Sequence, residues 1–164
     1  MLFWPICVIC APMSNTHWKQ KMRTNSEGTT GARDVAALVG RAMMSALFLW
    51  SGYEKLVAAA ELDRYFTSLG LPLPDLVRLF AAAVEIGGGL AVLLGFQTRI
   101  AAAGLAIWCI VTALVGHTNF VSADEQVQFM KNVAMSGGLI FIAAFGPGAY
   151  ALARAWRRAR LVVS

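Results

Sequence analysis

Residues 76–96 read LVRLFAAAVEIGGGLAVLLGF, an apolar run that is interrupted only by Arg78 near its start and Glu85 at its centre. Its length of about 20 residues is what an α-helix needs to cross the hydrocarbon core of a bilayer. An ionisable side chain at the middle of such a helix costs about 3 kcal/mol on insertion scales, so it needs a partner that stabilises it. Basic residues inside or beside apolar segments supply three candidate partners for Glu85: Arg41, Arg78 and Lys131.

The composition of the whole chain agrees with a protein that is dissolved in lipid. Hydrophobic residues make up 58% of the 164 residues, charged residues only 14%, and the mean hydropathy is +0.61. Soluble domains carry about 25% charged residues. Four spans of about 20 residues use half of the chain, which excludes a large soluble domain.

Four apolar segments predict four membrane-spanning helices. They are Val35–Leu56, Leu76–Phe96, Ile100–Val115 and Val127–Ala149, and the intervening segment Ala58–Leu73 predicts a short interfacial helix followed by a turn. Because backbone groups cannot stay unpaired in hydrocarbon, the spans must be helices or strands of a closed barrel. Apolar runs without alternation exclude barrel strands. The predicted fold class is therefore all-α, a four-transmembrane-helix bundle.

The distribution of basic residues predicts the orientation of this bundle. The N-terminal segment, the turn at Arg99 and the C-terminal arginines fall on one side, and the acidic loops fall on the other. The positive-inside rule then places both termini in the cytoplasm. We expect a disordered or poorly ordered tail over residues 1–33, the transmembrane domain over residues 34–153 and a basic tail over residues 154–164. Met1 and Met22 are both candidate starts of the natural chain.

Charge and cysteine usage argue against two classes of function. The net charge of +5 comes from clusters that flank the spans and do not form one patch, so we expect contact with anionic lipid headgroups and no nucleic acid. Cys7 and Cys10 have the C-x-x-C spacing of zinc and redox sites. A zinc site would need two further ligands, and a redox motif would need a strand before a helix. The sequence therefore predicts no metal site.

Polar residues of the spans form a candidate site. From a rise of about 1.5 Å per residue, Glu85 lies near the midplane. The residues toward the outer ends of their helices are Lys131, Asn132, His117, Glu54 and Lys55. Arg41 lies toward the inner side. We expect Glu85 to face the bundle interior and to bond to Lys131 or Arg41.

A series of short motifs resembles the DoxX family of small bacterial membrane proteins. The first span contains Phe48-Leu-Trp-Ser-Gly-Tyr-Glu-Lys55-Leu56, which looks like the family's first-span signature. The chain departs from the family near its C-terminus, where it reads Ala149-Tyr-Ala-Leu-Ala-Arg154 and members often have Ser-Leu-Asp. Further matches follow in order within Arg41–Leu152: Glu85-Ile-Gly-Gly-Gly-Leu90, Gly95-Phe-Gln-Thr-Arg99-Ile-Ala-Ala, His117, Gln128-Phe-Met-Lys131-Asn132, Gly137-Gly138 and Gly146-Pro147-Gly148.

The resemblance implies a multi-pass protein of the bacterial cytoplasmic (inner) membrane with four transmembrane helices. The family takes its name from a relative that is the small subunit of a thiosulfate:quinone oxidoreductase. Other members are associated with oxidative or thiol stress and with membrane redox complexes. The resemblance therefore implies a small subunit of a membrane redox system that is linked to quinone or to thiol and sulfur compounds.

Three functions stay open at this point. In a redox subunit, Glu85, Lys131 and His117 would handle protons and substrate, and Arg41 and Asn132 would be polar groups of a quinone pocket. We expect no covalently bound cofactor, and quinone is the cofactor that a redox role would involve. A bis-histidine haem needs two well-placed histidines and an iron–sulfur cluster commonly needs four cysteines, so we do not expect the chain to carry the electrons itself. Such an oxidoreductase needs a protein partner to deliver electrons. The alternatives are a non-catalytic scaffold or assembly subunit and a proton-coupled carrier of small solutes. For the protein in the membrane we expect a protein partner or a homo-oligomer.

Overall fold

Five helices make up the part of the chain that the structure describes. The computed structural model describes the backbone of residues 16–152 and the side chains of residues 31–152, and no strand occurs there. Four helical segments are long and apolar enough to cross a membrane: Gly31–Val57, Pro74–Leu94, Thr98–Gly116 and Ala123–Phe145. This confirms an all-α fold with four candidate spans. The helices are α1 Thr16–Val57, α2 Ala59–Ser68, α3 Pro74–Leu94, α4 Thr98–Gly116 and α5 Ala123–Phe145.

The predicted division of the chain into tails and a central domain stays a prediction. The internal contacts of the chain group its residues into two compact units, one that ends at Arg33 and one that begins at Asp34. Glu85 lies in the second unit. Helix α1 begins at Thr16, inside the segment that the sequence predicts to be a poorly ordered tail. The C-x-x-C pair at residues 7–10 and the basic tail at residues 154–164 lie outside the described residues.

Local sequence explains where α3 begins and ends. Pro74 is the first residue of α3, a position where its fixed φ suits a helix and its missing N–H is not needed. Gly95 ends the helix with φ +74°, a left-handed conformation that glycine adopts without a Cβ clash. Its N–H bonds to the Val92 carbonyl, and the N–H of Phe96 bonds to the Ala91 carbonyl, which is the Schellman pattern. The chain therefore turns back at once, and α4 runs antiparallel to α3.

One end of the bundle is formed by α2 and the helix ends around it, and we call it the α2 end. The Tyr65 hydroxyl on α2 donates to the carbonyl of Gly116 at the end of α4, at 2.6 Å. Arg78 Nη1 near the start of α3 donates to the carbonyl of Lys55 near the end of α1, at 3.1 Å. These bonds place the C-terminal ends of α1 and α4 beside α2 and the beginning of α3.

The opposite end, which we call the Arg41 end, joins α1 to the segment after α5. Arg41 Nη2 donates to the carbonyl of Tyr150. The backbone N–H of Ala149 donates to Asp34 Oδ1 at 2.7 Å. The α3–α4 turn lies at this end too, because a Cβ built on Gly95 would lie 2.5 Å from Arg41 Nη1.

An apolar core separates the two ends. Small residues allow the helices to approach closely, as shown by Gly88, where an added Cβ would lie 2.8 Å from the Leu105 side chain. Close approach matters because lipid provides no hydrophobic drive between helices. Many large apolar side chains point outward, as expected where the solvent is hydrocarbon. The buried core residues come from α1, α3, α4 and α5 and are Phe48, Val92, Ala102, Leu105, Ala106, Cys109 and Leu139.

Candidate functional site

Glu85 faces the interior of the bundle, as the sequence predicts. It lies about 16 Å along α3 from Pro74, close to the middle of the helix. Only 5% of its surface is exposed. A carboxylate at this depth is costly unless it is paired, so the site is defined by what bonds to it.

The partner of Glu85 is Lys55, and the prediction of a bond to Lys131 or Arg41 is wrong. Lys55 Nζ lies 2.8 Å from Glu85 Oε2, and the Lys55 side chain is 17% exposed. Lys55 Nζ also donates to Ser51 Oγ on the preceding turn of α1, at 2.9 Å. The ammonium group is therefore held between its own helix and α3.

The geometry of antiparallel helices explains why Lys55 reaches Glu85. A helical side chain leans toward the N-terminus of its helix. Lys55 stands two residues before the end of α1, so its side chain leans away from the α2 end and into the bundle. Glu85 is on a helix that begins at the α2 end, so its side chain leans toward that end. Each side chain covers part of the distance along the bundle axis.

Trp108 supplies the second hydrogen bond to the carboxylate. Its Nε1 on α4 donates to Glu85 Oε1 at 3.2 Å. The indole ring packs edge-on against Phe80, with 5.7 Å between ring centroids. Each oxygen of Glu85 thus has a donor on a different helix, and one side of the site is aromatic. Sequence reasoning missed Trp108, although an indole N–H in the middle of an apolar helix needs an acceptor.

A second ion pair fixes α2 against α3. Arg78, which the sequence offers as a candidate partner for Glu85, instead donates from Nε to Asp63 Oδ1 at 2.8 Å. The Asp63 side chain is 30% exposed, so this pair is closer to solvent than the pair of Lys55 and Glu85. Since Arg78 also bonds to the Lys55 carbonyl, it connects α1, α2 and α3 just outside the buried carboxylate.

A third contact joins His117, at the end of α4, to Glu125 in the first turn of α5. His117 Nδ1 lies 2.8 Å from Glu125 Oε2, and both side chains are partly exposed.

Burial, and secondarily the charge of Glu125, raises the pKa of Tyr65 above its ordinary value. The phenol therefore stays neutral and keeps its bond to the Gly116 carbonyl.

Comparison with known proteins assigns the family. The DoxX family profile matches residues 36–118. Inner membrane protein YqjF of Escherichia coli strain K12 is 40% identical over 124 residues, which cover 74% of this chain and 92% of that protein. This chain belongs to the DoxX family. Inner membrane protein YphA of the same bacterium is 31% identical over 128 residues, which cover 75% of this chain and 91% of that protein. No solved structure matches the chain.

The relatives and the four spans together fix the location of this DoxX-family protein. Both relatives are named as inner membrane proteins, and the structure has four helices that can cross a membrane. It is a multi-pass protein of the bacterial inner membrane, as the motif resemblance implies.

Lys131 and Asn132 of this DoxX-family protein bond within α5 and to α4. Lys131 is exposed, and its Nζ donates to Gln128 Oε1 at 2.9 Å. Asn132 Nδ2 donates to the Gln128 carbonyl, and Asn132 Oδ1 accepts a 3.3 Å bond from Thr112 Oγ1 on α4. Neither residue is bonded to Glu85, and their predicted roles in proton handling and in a quinone pocket stay predictions.

His117 and Arg41 are also separated from the carboxylate. His117 lies in the loop after α4, and its predicted role as a proton-handling residue stays a prediction. Arg41 lies at the end of the bundle opposite α2, where it bonds to the Tyr150 carbonyl and is 1% exposed. Its predicted place in a quinone pocket stays a prediction. Within residues 31–152, no group of three His, Cys, Asp or Glu side chains is arranged to hold a metal ion.

Proposed function

We propose that this DoxX-family protein is a small subunit of a membrane redox system and that it handles a quinone at Lys55 and Glu85. The supporting observation is that Lys55 Nζ and Trp108 Nε1 both converge on a carboxylate near the middle of a membrane-spanning helix. A quinone pocket needs donors for a carbonyl oxygen and an acid or base that moves protons, within apolar surroundings. The residue types present fit this requirement, and the edge-on rings of Trp108 and Phe80 make one side of the site aromatic.

Each residue of the site has a separate role in this proposal. A quinone takes up two electrons and two protons on reduction. Lys55 Nζ, paired with Glu85 Oε2, would donate one proton to a quinone oxygen and regain it from the α2 end, where Lys55 is partly exposed. A second transfer by the same route would supply the second proton. The Trp108 N–H, which donates to Glu85 Oε1 in this structure, would turn to the quinone carbonyl on binding and orient it. Since the electrons must come from elsewhere, the proposal includes a partner protein in the membrane.

The proposed orientation has both termini in the cytoplasm and the α2 end on the periplasmic side. Arg99 lies at the Arg41 end beside Gly146, and the basic sequence after residue 153 follows the same end of α5. The positive-inside rule therefore favours a cytoplasmic Arg41 end, where the basic termini contact anionic headgroups. A C-terminal alkaline phosphatase fusion should be inactive and a C-terminal green fluorescent protein fusion should fluoresce, and the opposite result would contradict this orientation.

Quinone retention tests the proposed site. The protein is purified in mild detergent, and the quinone extracted per chain is compared between wild type, Glu85→Gln and Trp108→Phe. Trp50→Phe is the matched control, because the indole of Trp50 is exposed and bonds to Glu54 Oε1 at 2.9 Å. We expect quinone in wild type and in the Trp50 variant and its loss from the other two. Equal retention in the two tryptophan variants would contradict the proposal.

A scaffold or assembly role is the second candidate. It is favoured by the way in which the polar contacts are completed inside the bundle: both oxygens of Glu85 are bonded, and Lys55 Nζ has two partners. This function predicts that a partner chain co-purifies with wild type and with Glu85→Gln while no quinone is found. Proton-coupled uptake of a solute into vesicles, lost in Glu85→Gln, would instead support a carrier.

A further inference from the structure

Arg41 is a buried cation with no carboxylate bonded to it in the described part of the chain. Its surface is 1% exposed, and Nη2 donates to the carbonyl of Tyr150. Its Nε and Nη1 have no hydrogen-bond partner among residues 31–152. A buried charge costs several kcal/mol unless it is paired and its hydrogen-bonding groups are satisfied. The guanidinium therefore requires a group that the bundle itself does not provide there.

Two buried hydroxyls near Arg41 are also without partners in this part of the chain. Ser45 is one turn after Arg41 on the same face of α1, and it is 1% exposed. Thr98, the first residue of α4, is 3% exposed. Thr98 lies three residues after Gly95, and Arg41 Nη1 packs against Gly95. Three unsatisfied side chains, one charged and two neutral, thus belong to the same end of the bundle.

The beginning of α4 adds further donors at this end. Gln97 precedes the helix and gives it no side-chain cap, so the backbone N–H groups of Thr98 and Arg99 are left without a partner among the described residues, whereas that of Ile100 bonds to the Gln97 carbonyl. A helix N-terminus carries a partial positive charge and favours anions. Together with Arg41, this produces a site that is rich in donors and positive in charge. Such a site selects an anion over a neutral ligand or a cation.

We propose that the Arg41 end holds a phosphate-type oxyanion, contacted by Arg41 and by the hydroxyls of Ser45 and Thr98. The planar guanidinium of arginine matches the oxygen spacing of a phosphate group. The oxyanion has two possible sources, the headgroup of an anionic phospholipid in the adjacent leaflet and a free phosphate ion. This inference does not depend on the quinone proposal, because it concerns the opposite end of the bundle.

Native mass spectrometry of the full chain tests the proposal and separates the two sources. Wild type in a mild detergent should carry one adduct per chain after the micelle is removed. The mass of that adduct distinguishes a phospholipid from an inorganic phosphate. Arg41→Met should lose the adduct, and Thr98→Val should retain it at a several-fold lower fraction, because only a hydroxyl is removed. Arg64→Gln is the matched control, since Arg64 is exposed on α2 and should leave the adduct unchanged.

If the Arg41→Met variant does not fold, thermal stability of the other variants tests the proposal in its place. The unfolding temperature of wild type, Thr98→Val and Arg64→Gln is measured with added phosphatidylglycerol, with phosphatidylcholine, and with inorganic phosphate against chloride of equal ionic strength. We expect phosphatidylglycerol or phosphate to stabilise wild type and Arg64→Gln more than Thr98→Val. An adduct of equal abundance in Arg41→Met and wild type would overturn the proposal. The absence of both an adduct and a specific stabilisation of wild type would overturn it as well.

Discussion

The two ends of the bundle treat buried charge in different ways. At the α2 end, cations bond to carboxylates on neighbouring segments, as Lys55 on α1 does with Glu85 on α3. At the Arg41 end, the guanidinium bonds to the Tyr150 carbonyl and has no carboxylate partner among the described residues. A charge that is paired inside the bundle joins helices, whereas a charge without such a partner indicates a place for an outside group. Substitutions at each end test this difference.

Removal of one member of the central ion pair should have the largest effect. Lys55→Met leaves Glu85 without its counter-charge, and breaking a buried pair in this way costs about 3–5 kcal/mol of unfolding free energy. The double variant Lys55→Met with Glu85→Leu should be less destabilised than the sum of the single variants, because neither charge is then left alone. Unfolding by denaturant in detergent provides the measurement. Strictly additive losses would show that the two residues do not stabilise one another.

Two glycines in the left-handed conformation allow the ends to be compared directly. Alanine at Gly95 should cost about 2–5 kcal/mol, since it adds left-handed strain to a clash with Arg41 Nη1 and Ala151. Alanine at Gly70, at the α2 end, should cost about 1 kcal/mol, because nothing lies within 4 Å of an added Cβ. Both values come from the midpoint of thermal unfolding. If the two variants lose the same stability, Arg41 is not packed against the turn as described.

The pair of Arg78 and Asp63 should contribute less than the central pair. Its carboxylate is 30% exposed, and a solvent-accessible ion pair contributes about 1 kcal/mol or less. We expect Arg78→Gln and Asp63→Asn to show a coupling of that size in a double-mutant cycle, decreasing as salt is added. A coupling as large as that of Lys55 with Glu85 would mean that both pairs are equally shielded from water.

Tyr65 should show the smallest effect, which is visible only at alkaline pH. Burial and the charge of Glu125 raise the pKa of Tyr65 above 10, so the folded protein holds this proton more tightly than the unfolded chain. The resulting stability is complete below pH 10 and is lost as the pH rises through the higher folded value. Near-ultraviolet phenolate absorbance follows the titration, with Tyr65→Phe to identify the signal. Glu125→Gln should lower the pKa part of the way back, and an unchanged titration would exclude the contribution of its charge.

The fold was predictable because it depends on the length and apolar character of segments. Four long apolar runs predict the four spans, and the high cost of a lone carboxylate predicts that Glu85 faces inward. The polar segment after the first span predicts α2 correctly as a short helix. These features follow from the chain's own composition and need no knowledge of side-chain direction.

The partner of Glu85 was not predictable from residue depth alone. Depth measured along the helix axis places Lys55 too near the end of α1, but its side chain leans back into the bundle by several ångströms. The same estimate favours Lys131, whose side chain lies exposed and bonds to Gln128. Helix rotation, which apolar composition does not fix on its own, decides which polar residue faces which. The bond from Trp108 depends on the same rotation.

The position of Lys55 near the end of α1 has a consequence for how the chain enters the membrane. Helix α1 emerges from the ribosome before α3, so Lys55 reaches the bilayer ahead of Glu85. A lysine so close to a helix end can keep its ammonium group among the headgroups until its partner arrives. Glu85, in the middle of α3, is too far from either helix end to keep its carboxylate among the headgroups. Because of the order of synthesis, Lys55 is already in the membrane when Glu85 enters it, so the carboxylate can pair with the ammonium group at once.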